Sequence, residues 1–307
     1  MRLLISRLSS LGDVVCSLPA AVALKNAFPG CSISWVVSKK FSAIVRACSA
    51  VDTVIEAKKG LKLSDWPQLA EAYDCALDLQ GLFKSAWPIH LARASRKLGY
   101  HWQREGSFLF SSRVLPDPTS FHIVDQYADV ARAAGGQMDG ASFDLTPEAD
   151  ALAGVRTILG NEGVTRFVAL NPGAAWASKR WPEEHCAAFI DALETRVVLI
   201  GGSSEEELAI SQRISTACKK SPAILTGKTN IAELVALLSL AEAHVGGDTG
   251  STHISAALGK PSVGLYSITN PRRSCPYGQI ENCFYEPKAL SSIDPVAVSG
   301  KVKELIA

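Results

Sequence analysis

The sequence has 307 residues, of which 47% are hydrophobic, and it carries 31 Lys and Arg against 30 Asp and Glu. The length predicts two domains, the apolar fraction argues against a disordered chain, and the net charge of +1 argues against nucleic-acid binding through a general basic field. The eight cysteines include no C-x-x-C pair and mostly lie in apolar stretches, so we expect reduced, buried thiols. Because charged residues interrupt every long apolar run, we also expect a cytoplasmic protein without a secretory signal or a membrane span.

Short apolar runs alternate with helical patterns along the whole chain. In the first half, strands are predicted at residues 3–7, 32–37, 53–56, 75–79 and 97–100, and helices at 18–27, 42–48, 64–73 and 83–94. In the second half, strands are predicted at 167–171, 196–200, 223–226, 244–246 and 262–266, and helices at 182–193, 205–218, 231–242 and 251–258. This alternation is typical of parallel sheets covered by helices on both faces.

The two series predict two Rossmann-like α/β domains with parallel sheets that face each other across a cleft. Their predicted bounds are residues 1–155 and 156–307, with the polar stretch 146–163 between the two series. In open parallel sheets, ligands bind beyond the carboxyl ends of the strands. The segments that directly follow strands are therefore the candidates for chemistry.

Several well-known motifs are missing from the sequence. It has no G-x-G-x-x-G after the first strand, no P-loop, no H-E-x-x-H, no G-x-S-x-G and no Asp-x-Asp. These absences disfavour dinucleotide dehydrogenases, P-loop NTPases, zinc proteases, α/β-hydrolases and sugar-nucleotide enzymes that hold a metal through Asp-x-Asp.

The first candidate segment is Ser9-Ser10-Leu11-Gly12-Asp13, directly after the first predicted strand. Its small residues allow a sharp turn, and Gly12 brings Asp13 close to the start of the next helix. Asp13 then either caps that helix, or acts from the edge of the sheet as a general base.

The second candidate is the segment NPGAAWASKRWPEE at residues 171–184. A loop of small residues follows a strand here, and a helix is predicted to begin near Pro182, a favoured first position. Backbone N–H groups of such a loop hold phosphates, with Lys179 as a point charge. The alternative is a solvated pair, Lys179 and Arg180, ahead of an ordinary helix.

The third candidate is GGDTGSTH at residues 246–253. Asp, Thr and Gly in succession before a helix form an anion-binding turn, in which the amides of Thr249 and Gly250 would face the ligand. The alternative is a capping turn with His253 packed on the sheet.

The fourth candidate is GGSSEEE at residues 201–207. Acidic residues in the first turn of a helix interact favourably with the helix dipole, which explains them without a ligand. The functional alternative is a carboxylate that accepts hydrogen bonds from a ribose diol.

Taken together, these segments are similar to glycosyltransferase family 9, the ADP-heptose:lipopolysaccharide heptosyltransferases. The resemblance covers most of the chain, and the segment 176–182 is most similar to heptosyltransferase I. It rests on an ordered set of motifs: MRLLI (1–5), LSSLGDV (8–14), LPA (18–20), DLQGLFKS (78–85), SKRWP (178–182), DTG (248–250) with His253, AALGKP (256–261) and PYG (276–278).

The resemblance implies a GT-B fold and an inverting transfer of L-glycero-D-manno-heptose from ADP-heptose to a Kdo hydroxyl of nascent lipopolysaccharide (Kdo-lipid A), without a metal or other cofactor. It implies that Asp13 is the general base and that Lys179 stabilises the departing diphosphate together with the Thr249 and Gly250 amides. The donor would bind the second domain and the acceptor the first. Further donor-site residues would be Ala174, Ala175, Asp248, His253 and Glu205, with Glu206 as the alternative to Glu205; acceptor-site residues would be Ser9, Ser10, Gly12, Gln80 and Lys84.

The chain departs from the family pattern at two places. Cys16 stands where many relatives carry His, and Ala174 and Ala175 stand where some carry hydroxyl residues. Other functions stay open: a relative with another donor or acceptor, such as heptosyltransferase II, a sugar-nucleotide 2-epimerase, or an inactive nucleotide-sugar-binding protein. The Ser9–Asp13 motif argues against the epimerase, and the intact Asp13, Lys179 and Asp248 argue against the inactive protein. The oligomeric state stays open too.

Positive charge is concentrated in the first third of the chain, where residues 1–104 carry 14 Lys and Arg against 7 Asp and Glu. The basic residues near 39–40, 58–62 and 93–97 suit an anionic acceptor, or are ordinary solvated side chains. The apolar residues 108–110, with Trp102, either contact the inner face of the cytoplasmic membrane of a Gram-negative bacterium or belong to the core.

Overall fold

The computed structural model of the protein describes residues 1–58, 62–174 and 176–307. The contacts between residues divide the chain into two compact units, Met1–Thr146 and Pro147–Ala307. Each unit contains one six-stranded sheet, and the paired strands of both sheets are parallel. The predicted α/β fold class is therefore confirmed.

The first unit alternates strands with helices. Its elements are β1 (Arg2–Ser6), α1 (Leu11–Ala27), β2 (Ser32–Val37), α2 (Ser42–Arg46), β3 (Thr53–Glu56), β4 (Ala72–Asp78), α3 (Phe83–Leu91), β5 (Arg93–Tyr100), β6 (Ser112–Val114) and α4 (Ile123–Ala133). The strands lie in the order β3-β2-β1-β4-β5-β6. The chain builds the sheet to one side of β1 and then returns to place β4 on the other side.

Strand β1 is central because its side chains are apolar on both faces. Leu3, Leu4 and Ile5 are fully buried, as expected of a parallel strand that is covered by helices on both sides. At its carboxyl end, Ser6 pairs with Asp78 of β4. The topological switch point, where ligands bind in such sheets, therefore lies between β1 and β4.

The second unit repeats this plan. Its elements are α5 (Ala149–Asn161), β7 (Phe167–Asn171), α6 (Glu183–Ala192), β8 (Arg196–Leu199), α7 (Glu205–Ala217), β9 (Ala223–Ile224), α8 (Ile231–Leu240), β10 (Ala243–Gly246), α9 (Gly250–Ala257), β11 (Ser262–Tyr266), α10 (Pro271–Ser274), β12 (Cys283–Tyr285) and α11 (Pro295–Ile306). The strands lie in the order β12-β11-β10-β7-β8-β9. The switch point of this sheet lies between β7 and β10, where Asn171 pairs with Gly246.

The helix predicted at residues 64–73 is wrong. The chain forms two short 3-10 turns there, Leu63–Asp65 and Pro67–Leu69, and β4 begins at Ala72. Pro67 has no N–H group to donate within a regular helix. In addition, the side chains of Trp66 and Leu69 are buried in the core between the turns and the strand.

The domain boundary predicted at residues 155/156 also needs correction. It falls inside α5, which occupies most of the stretch interpreted as a polar junction. The helix buries only Val155 and Leu159, four residues apart on one face, so it lacks the broad buried face of a core helix. The division between the two units lies at Thr146 and Pro147.

The eight cysteines are free thiols, as expected, and all but Cys218 and Cys283 are buried. Burial raises the pKa of the Cys48 thiol to about 11. None of the helices in the described part of the chain is long and apolar enough to cross a membrane.

Candidate functional site

The loops that follow β1 and β4 meet at the switch point of the first unit. The N–H of Leu8 donates to the side-chain oxygen of Gln80 at 2.9 Å, and the N–H of Leu79 donates to the carbonyl of Ser6 at 3.0 Å. These bonds join two segments that lie about seventy residues apart in the sequence. The first candidate segment and the DLQGLFKS motif therefore lie side by side at the carboxyl edge of the first sheet.

Asp13 lies in the first turn of α1, with Ser10 as the N-cap residue. One carboxylate oxygen accepts the Ser10 backbone N–H at 3.2 Å and the Ser10 hydroxyl at 2.8 Å. The other oxygen pairs with the guanidinium of Arg7 at 2.9 Å, and the Asp13 side chain remains 41% exposed. The capping role is thus present, and the same carboxylate also remains accessible for chemistry.

Arg7 is the site residue that the sequence analysis missed. It is 5% exposed, donates to the carbonyl of Leu79 at 2.5 Å and places its guanidinium 4.9 Å from the centre of the Tyr127 ring. Burial alone would lower the pKa of Arg7, but the neighbouring Asp13 carboxylate is among the groups that raise it. The buried guanidinium therefore holds the Asp13 carboxylate in place.

The predicted acceptor-binding side chains converge on Ser9. Its hydroxyl oxygen accepts the Gln80 side-chain amide at 3.4 Å and the Lys84 ammonium at 3.2 Å. Gly12 lies in the same first turn of α1 as Asp13. The structure therefore brings together all five predicted acceptor-site residues: Ser9, Ser10, Gly12, Gln80 and Lys84.

The buried carboxylate of Asp78 holds the turn after β4 in place through hydrogen bonds. One of its oxygens accepts the N–H groups of Gln80 and Gly81 at 3.0 and 3.1 Å. Burial raises the pKa of Asp78, although these donors act in the opposite direction. Asp78 shapes the turn that carries Gln80 and Lys84.

In the second unit, the loops that follow β7 and β10 meet in the same way. The Asn171 side-chain amide donates to the hydroxyl of Ser251 at 2.8 Å, and its oxygen accepts the N–H of Gly173 at 3.0 Å. A small cavity between these loops is lined in part by Asn171, Gly173, Lys179 and Gly247. The second and third candidate segments therefore form one site.

Lys179, Asp248 and His253 form a cluster in this site. The Lys179 ammonium lies 3.2 Å from one oxygen of Asp248, and the Nε2 atom of His253 lies 3.4 Å from the other. Burial alone would raise the pKa of Asp248, but the hydrogen bonds and charges of His253 and Lys179 lower it to about 2. The carboxylate is thus ionised at neutral pH and holds the ammonium in place.

Thr249 is the N-cap of α9 and Gly250 its first residue, so the first N–H groups of this helix, which have no partner within the helix, directly follow Asp248 in the chain. The carbonyl of Ala174 accepts a hydrogen bond from the Arg180 guanidinium at 3.1 Å. The predicted residue Ala175 lies outside the described residues. An ammonium next to a helix N-terminus is suited to bind a phosphate group.

A buried polar network lies beneath this cluster, and the sequence analysis missed it. His244 on β10 is fully buried, and its Nε2 atom lies 3.1 Å from the Ser251 hydroxyl, which also contacts Asn171 and Thr249. Burial, together with the charge of His253, lowers the pKa of His244 to about 3, so this imidazole is neutral at pH 7. The network fixes the turn that carries Asp248.

Three glutamates begin α7. Glu205 is exposed, and the hydrogen bonds to nearby loops are made by Glu206 and Glu207. Glu206 forms a bidentate ion pair with Arg180, which ties α7 to the Lys179 loop. Glu207 accepts the N–H of Gly202 at 2.9 Å and lies close to Gly173. The structure therefore links Glu206 to Arg180 and Glu207 to Gly202, beside the segment that carries Lys179.

Within residues 1–58, 62–174 and 176–307, no group of three or more His, Cys, Asp or Glu side chains is arranged to hold a metal ion.

Comparison with known proteins shows what the chain is similar to. The profile of glycosyltransferase family 9 (heptosyltransferase) matches residues 65–293, well over half of the chain. The lipopolysaccharide core heptosyltransferase OpsX of Haemophilus influenzae is 27% identical, over 91% of this chain and 83% of the relative. Lipopolysaccharide heptosyltransferase 1 of Escherichia coli K12 is 28% identical, over 99% of this chain and all of the relative.

A solved structure, E. coli heptosyltransferase WaaC with ADP, superposes with a TM-score of 0.79 at 26% identity and covers 99% of this chain and 100% of that one. WaaC has also been solved with ADP-2-deoxy-2-fluoro heptose. These likenesses confirm the predicted GT-B fold of two Rossmann-like units.

Proposed function

Because the chain belongs to glycosyltransferase family 9, the heptosyltransferase family, we propose that it transfers L-glycero-D-manno-heptose from ADP-heptose to Kdo of the lipopolysaccharide inner core. The chain is a transferase of the lipopolysaccharide heptosyltransferase family. The alignment over nearly its full length with heptosyltransferase 1 of E. coli supports the heptosyltransferase I-like role. The observation that carries the proposal is Asp13, a partly exposed carboxylate held by a buried arginine at a sheet switch point.

The donor half of the proposal concerns the second unit. Lys179, held by Asp248, would pair with the diphosphate of ADP-heptose, and the amides at the start of α9 would donate to its oxygens. The likeness to WaaC, which was solved with ADP, supports an ADP-linked donor. Glu206 pairs with Arg180 and Glu207 lies close to Gly173, so we propose either of them as the carboxylate near the nucleoside, with Glu205 as the alternative.

The acceptor half concerns the first unit. An acceptor hydroxyl would attack the anomeric carbon of heptose on the face opposite to ADP, so that the configuration inverts. As the new C–O bond forms, Asp13 takes the hydroxyl proton, the bond to the diphosphate breaks and ADP leaves. Ser9, with Gln80 and Lys84 that both donate to its hydroxyl, would bind the Kdo residue.

The charge of the leaving group is the remaining part of the mechanism. ADP departs with additional negative charge, which the Lys179 ammonium and the α9 N-terminus would stabilise. We therefore propose that transfer needs no metal ion, so that activity should persist in the presence of EDTA.

The test is transfer from ADP-heptose to Kdo-lipid A in the presence of EDTA, with the wild type compared with Asp13→Ala. We expect the wild type to be active and the variant to lose a factor on the order of 10²–10⁴ in turnover, as removal of a general base does. The matched control is Asp125→Ala, since Asp125 occupies the equivalent position in the first turn of α4 and reports the cost of losing a carboxylate from the first turn of a helix.

Other outcomes would contradict separate parts of the proposal. Equal activity of Asp13→Ala and the wild type would leave Asp13 as a helix cap only. Transfer only to Kdo-lipid A that already carries heptose would indicate a heptosyltransferase II-like enzyme. Conversion of ADP-heptose without any acceptor would indicate an epimerase.

A further inference from the structure

An apolar surface lies next to the proposed acceptor-binding residues of the first unit. The loop between β5 and β6 leaves the side chains of Trp102, Phe108 and Leu109 exposed at 52%, 62% and 73%. Phe83, the first residue of α3, is also exposed, and its ring lies 6.0 Å from that of Phe110. These four exposed residues and the half-buried Phe110 form what we call the apolar surface, and exposed apolar side chains of this kind mark an interaction site.

Hydrogen bonds and ring contacts hold the apolar surface in place. The N–H of Arg104 donates to the carbonyl of Gly81 at 2.8 Å, and the Glu105 carboxylate accepts the N–H of Phe83 at 3.3 Å. Beneath the surface, the ring of Trp87 stacks on that of Phe83 at 5.4 Å. The loop is therefore seated on the start of α3, and its apolar side chains are displayed from a fixed backbone.

The charges around the apolar surface favour an anionic partner. Arg104, Arg113 and Lys84 are exposed, and the Arg104 guanidinium lies 5.2 Å from the centre of the Trp102 ring. The nearby acidic residue, Glu105, already binds a backbone N–H of α3. Tryptophan, phenylalanine and leucine flanked by arginine and lysine are typical of surfaces that lie in the headgroup region of anionic bilayers.

The apolar surface is continuous with the proposed acceptor site. Phe83 is followed by Lys84, whose ammonium donates to the hydroxyl of Ser9 at 3.2 Å. An acceptor sugar that is attached to a lipid is available only at the surface of a bilayer. A site that acts on it therefore has to lie beside a surface that the bilayer can cover.

We propose that the apolar surface inserts shallowly into a bilayer containing anionic phospholipids and so brings the Ser9–Asp13 edge to a lipid-attached acceptor. This inference rests on the proposed function in that the acceptor is taken to be a lipid. Binding to the bilayer itself requires neither ADP-heptose nor the acceptor.

The test is co-sedimentation with vesicles of phosphatidylglycerol and phosphatidylethanolamine, without donor or acceptor. We expect the wild type to bind, and the double variant Phe108→Asp/Leu109→Asp to bind on the order of 100-fold more weakly, since each buried Leu or Phe contributes about tenfold. Vesicles of phosphatidylcholine alone should bind the wild type about fivefold more weakly for each basic residue that contacts the lipid. The control for added negative charge is Val296→Asp, which places one carboxylate, half the charge of the double variant, at a 68% exposed apolar residue of the second unit.

Three outcomes would overturn the inference. The first is that the double variant binds vesicles as tightly as the wild type, and the second is that Val296→Asp weakens binding as much as the double variant does. The third is that sedimentation velocity shows a dimer of the wild type that the double variant loses, which would assign the surface to a second copy of the chain. An unchanged melting temperature and circular dichroism spectrum, both measured without ligand, verify that the double variant is folded.

Failure of the proposed function gives a different pattern. A wild type that binds vesicles but transfers no heptose to Kdo-lipid A contradicts the proposed reaction and supports the bilayer contact. A wild type that transfers heptose to a deacylated Kdo acceptor but does not bind vesicles supports the reaction and overturns the bilayer contact.

Discussion

At the scale of single residues, the pair of Arg7 and Asp13 separates what local sequence can predict from what it cannot. Asp13 was predictable because a carboxylate three residues after a serine, at the end of a strand, is a local signature of a helix start. Arg7 was not, because its burial depends on Leu79 and Tyr127, which come from distant parts of the chain. An arginine at the end of a strand otherwise suggests solvent exposure.

The buried His244 predicts a specific dependence of stability on pH. Burial, with the charge of His253, lowers the pKa of His244 from 6.5 to about 3 in the folded protein, whereas the unfolded chain keeps the ordinary value. Between these values the unfolded state binds a proton that the folded state does not. The free energy of unfolding should therefore fall as the pH drops below 6.5, by up to about 1.4 kcal/mol per pH unit from this residue.

Urea unfolding at pH 7 and pH 5 checks this expectation. His244→Gln keeps an amide that can reach Ser251 but cannot titrate, so its free energy of unfolding should fall less between the two pH values than that of the wild type. His90→Gln, a change at an exposed histidine, is the control and should behave like the wild type. An equal fall in wild type and His244→Gln would mean that His244 does not contribute to the acid sensitivity. Asp248 does not interfere, because its pKa is held near 2.

At the scale of elements, the strands were easier to predict than the helices. β2, β7 and β11 have the predicted bounds, because apolar runs buried on both faces leave little ambiguity. β3 also has the predicted bounds, although only Ile55 of its four residues is buried. The sequence does not predict α5, because only two of its side chains are buried. The turns before β4 resemble a helix in sequence, because their buried residues Trp66 and Leu69 have helical spacing. The candidate site followed from the strands, since its segments directly follow them.

The turn after β4 depends on a glycine. Gly81 has a φ of +71°, and a Cβ atom there would clash with the carbonyl oxygen of Trp102. We expect Gly81→Ala to lower the free energy of unfolding by at least about 2 kcal/mol. A positive φ is unfavourable for alanine, and its Cβ atom would push the loop that carries Trp102 away from residue 81. Gly154→Ala, in α5 with nothing within 4 Å of the added Cβ, should instead raise it by up to about 1 kcal/mol. Urea denaturation compares the two, and similar losses in both variants would contradict the assignment.

At the scale of the whole molecule, the two units carry different parts of the proposed site. ADP should bind the second unit, so saturating ADP should raise the melting temperature of the wild type. At an ADP concentration of 100 times the dissociation constant, binding should raise the free energy of unfolding by about 2.7 kcal/mol. Lys179→Ala should lose most of this shift, whereas Asp13→Ala should keep it. Lys228→Ala, an exposed lysine of the same unit paired with Glu162, is the control. Loss of the ADP shift in Asp13→Ala but not in Lys179→Ala would reverse the assignment of the units.

The strand orders described above have one more consequence. The outermost strands are β3 and β6 in the first sheet and β12 and β9 in the second, and they contain only four, three, three and two residues. A strand this short offers few free backbone groups to a strand from another molecule. Both sheets are thereby protected against sheet-to-sheet aggregation, so the protein should remain free of β-type aggregates even where many copies crowd together on one surface.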